Sequence, residues 1–322
     1  MTATRADGPF DVVLLGEILV EFFCEGPLGG ETPVRLGFSG DTLNAAAAAA
    51  AAGARTAVLT AVADDALGDA LVARVAELGV HTSLIRRGPG SNGAYLLHGD
   101  VTGEREFTYW RRGSIASRLD EPDVERWADA LRGAGALVVS GIGSALSDGS
   151  RRAVLAAART AAGAGAAVLY DPNFRARLTT TERARAALAE IAPHCALVTP
   201  SCPADARALF GTEDPARAAT AVRALGARAA AVTSGAERVL VADAGGVVGL
   251  PVPHVADPVD ATGAGDVLAG TTAARLALGD PLRAAVALGV GAASLSLAGR
   301  GGTGHVPPLA ASRAAAPAVP EG

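Results

Sequence analysis

The feature that most restricts the fold of this chain is a repeated alternation of short apolar runs with stretches of helical periodicity. The apolar runs, which we interpret as buried strands, are 11–16, 56–61, 136–140, 167–170, 196–199, 229–233 and 239–242. The helical stretches are 41–52, 66–78, 151–162, 181–191, 205–209, 215–225, 267–278 and 281–297. Strands that alternate with helices predict an α/β fold with a mostly parallel central sheet and helices on both faces.

Two regions depart from this alternation. Residues 19–38 are interrupted by glycines and prolines, and residues 93–98 and 106–110 flank the polar segment 100–104 as the arms of a β-hairpin would. Both regions therefore predict a small sheet outside the main core. By contrast, the eight consecutive alanines of 45–52 predict a tightly packed helix, since alanine is too weakly hydrophobic for a membrane span.

Composition excludes several classes of protein. A chain of 322 residues, half of them apolar, can bury one large core, and its formal charge of −5 offers no general basic surface for nucleic acid. All 28 basic side chains are arginine. The lysine of a P-loop, of a protein kinase and of a pyridoxal phosphate enzyme is therefore missing. We expect a small-molecule ligand and neither nucleic acid nor a membrane as partner.

The cysteines and histidines indicate neither disulfides nor zinc. Three cysteines lie far apart and form no C-x-x-C pair, and the five histidines lack metal-ligand spacing. The apolar run near residue 10 is too short for a signal peptide and is interpreted as a strand. These observations predict a cytoplasmic protein.

The segment from Asp260 to Asp266, Asp-Ala-Thr-Gly-Ala-Gly-Asp, is the strongest candidate for chemistry. Small residues allow backbone N–H groups to converge on an anion, and the start of the following helix adds unpaired donors and a positive dipole end. Asp266 could then accept a proton from a hydroxyl nucleophile. The alternative from spacing alone is an ordinary glycine turn with Asp266 as helix N-cap.

Four stretches together carry a resemblance to a known family. They are Gly40-Asp-Thr-Leu-Asn44, Tyr109-Trp-Arg111, Asp171-Pro-Asn-Phe-Arg175 and Ala261-Thr-Gly-Ala-Gly-Asp266. In these the chain resembles the ribokinase-like, PfkB-type carbohydrate kinases, and among them the 2-keto-3-deoxygluconate kinases, from about residue 12 to residue 302. The resemblance implies a ribokinase-like three-layer α/β/α domain over residues 1–305, with lid segments at about 19–38 and 91–111. The Pro- and Ala-rich tail 306–322 is expected to be disordered.

The resemblance also implies an activity. The expected reaction is transfer of the γ-phosphoryl group of ATP to a hydroxyl of a sugar acid, in particular of 2-keto-3-deoxygluconate to its 6-phosphate. Mg²⁺, and in some members a monovalent cation, would accompany ATP. Two alternatives stay open, namely a PfkB-type kinase for a neutral sugar or a nucleoside, and a regulator that binds sugar or nucleotide without turnover.

The resemblance assigns roles to individual residues. Asp266 would be the general base, and Gly263, Ala264 and Gly265 would form the anion hole. The implied substrate-binding residues are Gly40, Asp41, Asn44, Tyr95, Tyr109, Arg111 and Arg175. The implied nucleotide-binding residues are Asn173, Thr233, Ser234, Gly235 and Arg238, together with Gly263 and Gly265, and Asp205 would lie near Mg²⁺.

Side-chain chemistry supports some of these roles and leaves alternatives for others. Tyr109 and Arg111 alternate with Trp110 on a strand, so both can face one ligand, and an arginine suits a carboxylate. Asp41 could instead cap a helix, and Arg175 could instead pair with Asp171. Asp205 could equally be a surface carboxylate, and the lid could pair two subunits through its strand edges.

Overall fold

A computed structural model describes residues 8–25, 28–99 and 106–320. The strands in chain order are β1 (Val12–Leu15), β2 (Leu19–Glu25), β3 (Arg35–Ser39), β4 (Thr56–Ala63), β5 (Ile85–Gly88), β6 (Ala94–Gly99), β7 (Glu106–Trp110), β8 (Ala136–Ser140), β9 (Ala167–Asp171), β10 (Leu197–Val198), β11 (Ala230–Ser234), β12 (Arg238–Asp243) and β13 (Gly246–Pro251). The α-helices are α1 (Asp41–Ala51), α2 (Ala66–Glu77), α3 (Glu121–Arg126), α4 (Ala128–Gly133), α5 (Gly141–Ala145), α6 (Asp148–Gly163), α7 (Thr181–Ile191), α8 (Pro215–Ala224), α9 (Ala264–Ala277), α10 (Leu282–Ser296) and α11 (Leu309–Ala315).

The central sheet has nine strands in the order β13-β12-β11-β10-β9-β8-β1-β4-β5. The seven strands from β11 to β5 run parallel to their neighbours, and β12 and β13 continue the sheet antiparallel beyond β11. This order places the helices that connect successive parallel strands on the two faces of the sheet. The predicted α/β architecture is therefore confirmed.

Strand side chains alternate between two hydrophobic cores, one on each face. Val13 and Leu15 of β1 pack into the first, with α6 and α8, whereas Val12 and Leu14 pack into the second, with α1, α9 and α10. Every residue of β1 is buried, which explains why its sequence shows a continuous apolar run instead of an alternating one.

A second sheet, the lid, has the strand order β3-β2-β6-β7. β2 pairs parallel with β6, and both outer pairs are antiparallel. The two regions that break the strand–helix alternation supply these strands, as predicted. The turn predicted at 100–104 lies outside the described residues.

The alanine run forms α1, which packs against α9 at very short range. A Cβ added to Gly270 of α9 would lie only 2.8 Å from the Cα of Ala45 in α1. Residues without bulky side chains on both helices permit this approach. The prediction of a tightly packed helix at 45–52 is confirmed, and within the described part of the chain no helix combines the length and hydropathy needed to cross a membrane.

Two local predictions need correction. Within the tail that was predicted to be disordered, residues 309–315 form α11, whose backbone passes close to Gly291 of α10. Pro308 precedes this helix and Pro317 follows it, so the prolines bound the helix instead of preventing it. The stretch predicted as a helix at 205–209 is a π-helical turn, Ala206–Phe210. Five further elements of the described chain were not predicted from the sequence, namely α3, α4, α5 and the strands β5 and β13.

Replacing Gly270 by alanine should destabilise the fold, since the new methyl group meets backbone and not a movable side chain. Overpacking of this kind costs about 1–3 kcal/mol of unfolding free energy. The matched control is Gly163→Ala at the end of α6, where an added Cβ meets nothing within 4 Å. Urea denaturation should show the loss for the first variant only; equal stabilities would contradict the close α1–α9 contact.

Candidate functional site

A cleft of about 680 Å³ lies at the carboxyl ends of the parallel strands, beneath the inner face of the lid. It brings together most of the residues that the sequence predicted. These are Gly40, Asp41, Asn44, Tyr95, Tyr109, Arg111, Asn173, Arg175, Asp205, Thr233, Gly263, Gly265 and Asp266. Gly40 and Asp266, which are 226 positions apart in the sequence, thus share one cavity.

The floor of the cleft is the N-terminus of α9. Gly263 precedes the helix in a left-handed conformation, with φ of +81°, and a Cβ there would lie 3.0 Å from Asn44 Nδ2 and 3.1 Å from the nitrogen of Gly302. Only glycine readily adopts this positive φ and also leaves room for these close neighbours. No side chain caps this helix, so the first-turn N–H groups of Gly265 and Asp266 have no acceptor within the described chain. These donors and the helix dipole form a site for an anion.

Asp266 lies in the first turn of α9 and is not its N-cap, so the helix-cap interpretation is wrong. Its Oδ2 instead accepts a hydrogen bond of 2.9 Å from Asn44 Nδ2 in α1. Burial at the cleft floor, together with the nearby charge of Asp41, raises the pKa of Asp266 to about 7, against the lowering effects of Asn44 and Arg175. A carboxylate with a pKa near neutrality suits a general base.

Asp41 does not cap a helix either. The N-cap of α1 is Gly40, which has φ of +122°, and Asp41 is the first residue of the helix. Its carboxylate accepts a hydrogen bond from Ser140 at the end of β8 and faces the cleft. The side chain is therefore available to a ligand as well as to Ser140.

The inner face of the lid carries aromatic side chains. Tyr109 and Arg111 line the cleft, whereas Trp110 between them is 55% exposed on the opposite face, which confirms the alternation. The ring of Tyr109 stacks on that of Phe107 at 5.9 Å. Phe107 also lines the cleft and was missed, although its position two residues before Tyr109 places it on the same face.

Tyr95 on the neighbouring strand β6 is buried, and its hydroxyl donates to Glu21 of β2. Burial raises the pKa of Glu21, an effect that the Tyr95 hydrogen bond opposes. The two residues are directly paired in the lid sheet. Tyr95 thus lines the predicted cleft, and its hydroxyl is already hydrogen-bonded to Glu21.

The two arginines predicted to bind the substrate differ in their surroundings. Arg111 is buried and forms an ion pair with Glu17, a residue that the sequence analysis did not select. Arg175 is exposed, and its Nη1 donates to the carbonyl of Phe174 at 3.1 Å. Among the described residues Arg175 forms no ion pair, so the alternative pairing with Asp171 is absent.

Asp171 is the last residue of β9, Asp205 follows the neighbouring strand β10, and both line the cleft. Asp205 accepts hydrogen bonds from the backbone of Phe174 and from both the backbone and the hydroxyl of Ser201, at 2.7–2.8 Å. It therefore ties two loops together and is buried, which rules out the surface-carboxylate interpretation. Burial, with the charges of Asp205 and Asp266, raises the pKa of Asp171 well above its ordinary value.

The predicted nucleotide loop reaches the cleft only in part. Thr233 at the end of β11 lines it, but Ser234, Gly235 and Arg238 belong to the β11–β12 hairpin and lie beyond the cleft wall. Ala264 is the first residue of α9 and also lies outside the lining. Asn173 lines the cleft with a positive φ of 39°, and its N–H donates to Asp171.

A helix N-terminus open to an anion, a carboxylate with raised pKa beside it, and a lid above them define a phosphotransferase of small molecules. Comparison with known proteins then identifies the family. Residues 11–308 match the profile of the pfkB family carbohydrate kinase, and the chain belongs to this family. It is thus an ATP-dependent sugar kinase, as the sequence analysis predicted.

Individual relatives agree with this assignment. The chain is 32% identical to 2-dehydro-3-deoxygluconokinase of Thermoproteus tenax over 94% of this chain and 93% of that protein. It is 28% identical to 2-dehydro-3-deoxygalactonokinase of Haloferax volcanii over 88% and 90%. The fold matches the crystal structure of 2-dehydro-3-deoxygluconokinase from Thermotoga maritima with a TM-score of 0.79 at 23% identity, over 94% of this chain and 97% of that one. The ribokinase-like fold with its small lid is confirmed.

The raised pKa of Asp266 predicts the pH dependence of the kinase. A base must be ionised, so kcat/KM should fall about tenfold per pH unit below the pKa of Asp266 and level off above it. The Asn44 hydrogen bond lowers this pKa, so Asn44→Ala should move the acidic limb of the profile to higher pH. Since both enzymes receive the same substrates, substrate ionisation cancels in the comparison; an unmoved limb in the variant would contradict the role of Asn44.

Proposed function

We propose that this kinase phosphorylates a hydroxyl of a sugar acid, with 2-dehydro-3-deoxygluconate (2-keto-3-deoxygluconate) converted to its 6-phosphate as the preferred reaction. The observation that carries the proposal is one cleft whose lining combines Asp266 and the α9 N-terminus with three arginines, Arg111, Arg175 and Arg177. The names of relatives such as the Thermoproteus tenax enzyme support the choice of acid.

In this proposal the arginines bind the carboxylate of the sugar acid. Arg175 is exposed in the cleft wall, and only its Nη1 donates to a carbonyl oxygen, that of Phe174. Its other N–H groups can donate to a carboxylate or to a phosphoryl oxygen. Arg111 reaches the cleft from the lid. The aromatic rings of Tyr109 and Phe107 provide an apolar wall for the sugar carbons, and the Asp41 carboxylate can accept from its hydroxyls.

The residues around the α9 N-terminus fit a triphosphate. The unpaired N–H groups of Gly265 and Asp266 are suited to bind an anion. A Cβ at Gly265 would meet only Asp171 Oδ2, at 3.8 Å, so a ligand can approach the backbone closely there. Thr233 faces this position from β11. When bound, ATP supplies the γ-phosphoryl group, and the first-turn amides stabilise the charge on its oxygens.

The acidic residues fit a magnesium ion that enters with the nucleotide. No cluster of three or more potential metal ligands occurs among residues 8–25, 28–99 and 106–320. Mg²⁺ commonly keeps several waters and is held by phosphates with one or two carboxylates. Asp171 and Asp205 are the carboxylates placed for this role. Asp205 would contact the ion through a water molecule, because its carboxylate already accepts three hydrogen bonds. A monovalent-cation requirement stays a prediction.

Asp266 performs the proton transfer in this proposal. Its carboxylate takes the proton of the sugar hydroxyl as that oxygen attacks phosphorus, and Asn44 holds it in place. The lid excludes water, which would otherwise compete as acceptor.

We propose that the protein is located in the cytoplasm. Its three free thiols, at Cys24, Cys195 and Cys202, are compatible with that reducing compartment.

Release of ADP should be measured over a panel of sugar acids, neutral sugars and nucleosides. We expect the highest kcat/KM for 2-dehydro-3-deoxygluconate, and faster phosphorylation of fructose or a nucleoside would overturn the acid assignment. Asp266→Asn should lower kcat by about 10²–10⁴-fold without loss of stability, since this is the usual contribution of a general base. The matched control is Asp69→Asn, an exposed carboxylate in the first turn of α2, which should leave kcat unchanged.

We also propose that two subunits pair through the lid face opposite the cleft. Supporting this, Leu36 on β3 and Trp110 on β7 are 51% and 55% exposed, and Phe22, Phe38 and Leu96 lie on the same face between them. Exposed apolar patches of this kind commonly mark interfaces.

Light scattering should give a mass of twice 31.8 kDa for the wild type at micromolar concentration. The double variant Leu36→Glu, Trp110→Glu should be monomeric, because two buried charges would be left unpaired. Val247→Glu on β13, also an exposed apolar residue, serves as the control and should remain dimeric. A monomeric wild type would refute the pairing.

A further inference from the structure

Glu17 occupies the junction between the core and the lid. The described chain passes between the two sheets at four places, namely residues 16–18 before β2, residue 40 after β3, residues 89–93 before β6 and residues 111–115 after β7. Any movement of the lid relative to the core must be absorbed at these connections. Glu17 belongs to the first and contacts the other three.

The side chain of Glu17 contacts two of these connections directly. Its Oε2 accepts from Arg111 Nε at 2.7 Å, with Arg111 Nη2 at 2.6 Å, and its Oε1 accepts from the hydroxyl of Ser114. A Cβ on Gly93 would lie 2.8 Å from the carboxyl carbon of Glu17, so glycine is required at that position. The carboxylate thus fits between the connection that leads into β6 and the one that leaves β7.

The backbone of Glu17 contacts the remaining connection. A Cβ on Gly40, which has φ of +122°, would lie 2.8 Å from the Glu17 carbonyl oxygen. Close backbone packing therefore joins Glu17 to the entry of α1, where Asp41 and Asn44 begin the cleft floor.

The ion pair restricts the orientation of Arg111. The Glu17 side chain is fully buried and that of Arg111 is 6% exposed, so neither charge can turn to bulk water. Nε donates to Glu17 Oε2, and Nη2 is buried 2.6 Å from the same oxygen without hydrogen-bond geometry, so the Nε and Nη2 side of the guanidinium faces Glu17. Nη1 has no contact with Glu17, and since Arg111 lines the cleft, we assign this nitrogen to the ligand.

We propose that Glu17 is a positioning residue for recognition of the substrate's acid group, a role that rests on the proposed function. Glu17 compensates the charge of Arg111 and holds one guanidinium nitrogen at a fixed place in the cleft. The cleft then selects a carboxylate by its position on the sugar and not by general attraction to a free cation. Since Glu17 contacts all the core–lid connections, the position of Arg111 is tied to that of the lid.

The test is a set of Glu17 variants assayed in steady state with the preferred sugar acid and with a neutral sugar. Glu17→Ala removes the partner, and Glu17→Asp keeps the charge but withdraws it by one methylene. Both should raise KM for the acid at least about tenfold, leave kcat within about threefold, and leave the neutral sugar unaffected. Glu17→Gln keeps an acceptor for Arg111 but removes the compensating charge, so it should raise KM for the acid less than Glu17→Ala does.

Coupling to Arg111 separates positioning from a structural role. In an Arg111→Met background the Glu17 variants should cause no further rise in KM, since the group that they position is absent. The control is Asp11→Asn, which weakens the ion pair of another buried carboxylate, with the partly exposed Arg55, and should change stability without changing KM. If Glu17→Ala does not fold, Glu17→Asp decides the question.

The outcomes distinguish the two proposals. A wild type that phosphorylates sugar acids, combined with Glu17 effects that persist without Arg111 or that fall equally on neutral sugars, overturns the positioning role alone. Wild-type preference for neutral sugars overturns the proposed function and, with it, acid recognition through Glu17.

Discussion

The hydrogen bond between Asn44 and Asp266 joins the two halves of the site, and the rest of the active cleft depends on it. The two residues are 222 positions apart and meet because α1 and α9 pack closely through alanine and glycine. That packing places the first turn of α1, the uncapped start of α9 and a carboxylate with raised pKa side by side. Bulkier residues on either helix would separate the proposed base from the substrate side of the cleft.

The lid contributes chemistry of another kind. It presents aromatic rings and one arginine to a cleft whose floor is acidic, and its arginine is already neutralised by Glu17. Arg175 and Arg177, both exposed in the cleft wall, form no ion pair among the described residues. The pairing of Arg111 with Glu17 is physically sensible, because a buried guanidinium without a compensating charge would be costly to desolvate.

Much of the fold could be predicted because its signals are local. The apolar run of β1, the alanines of α1 and the glycine-rich interruptions of the lid each report a local preference that the structure follows. Errors arose where tertiary packing decides. α11 forms because its residues find a surface on α10, and the turn after Asp205 is π-helical although its periodicity indicated an α-helix.

The sequence by itself determined the parallel α/β architecture, the lid segments, the glycine turn before α9 and the membership of most cleft residues. These follow from periodicity, from glycine positions and from short motifs, all of which are properties of neighbouring residues. Only the tertiary structure decided the partners. Asn44 bonds to Asp266, Tyr95 to Glu21 and Arg111 to Glu17. Hydrogen bonds and ion pairs form between groups that the fold brings within about 3 Å, and sequence spacing carries no record of that distance.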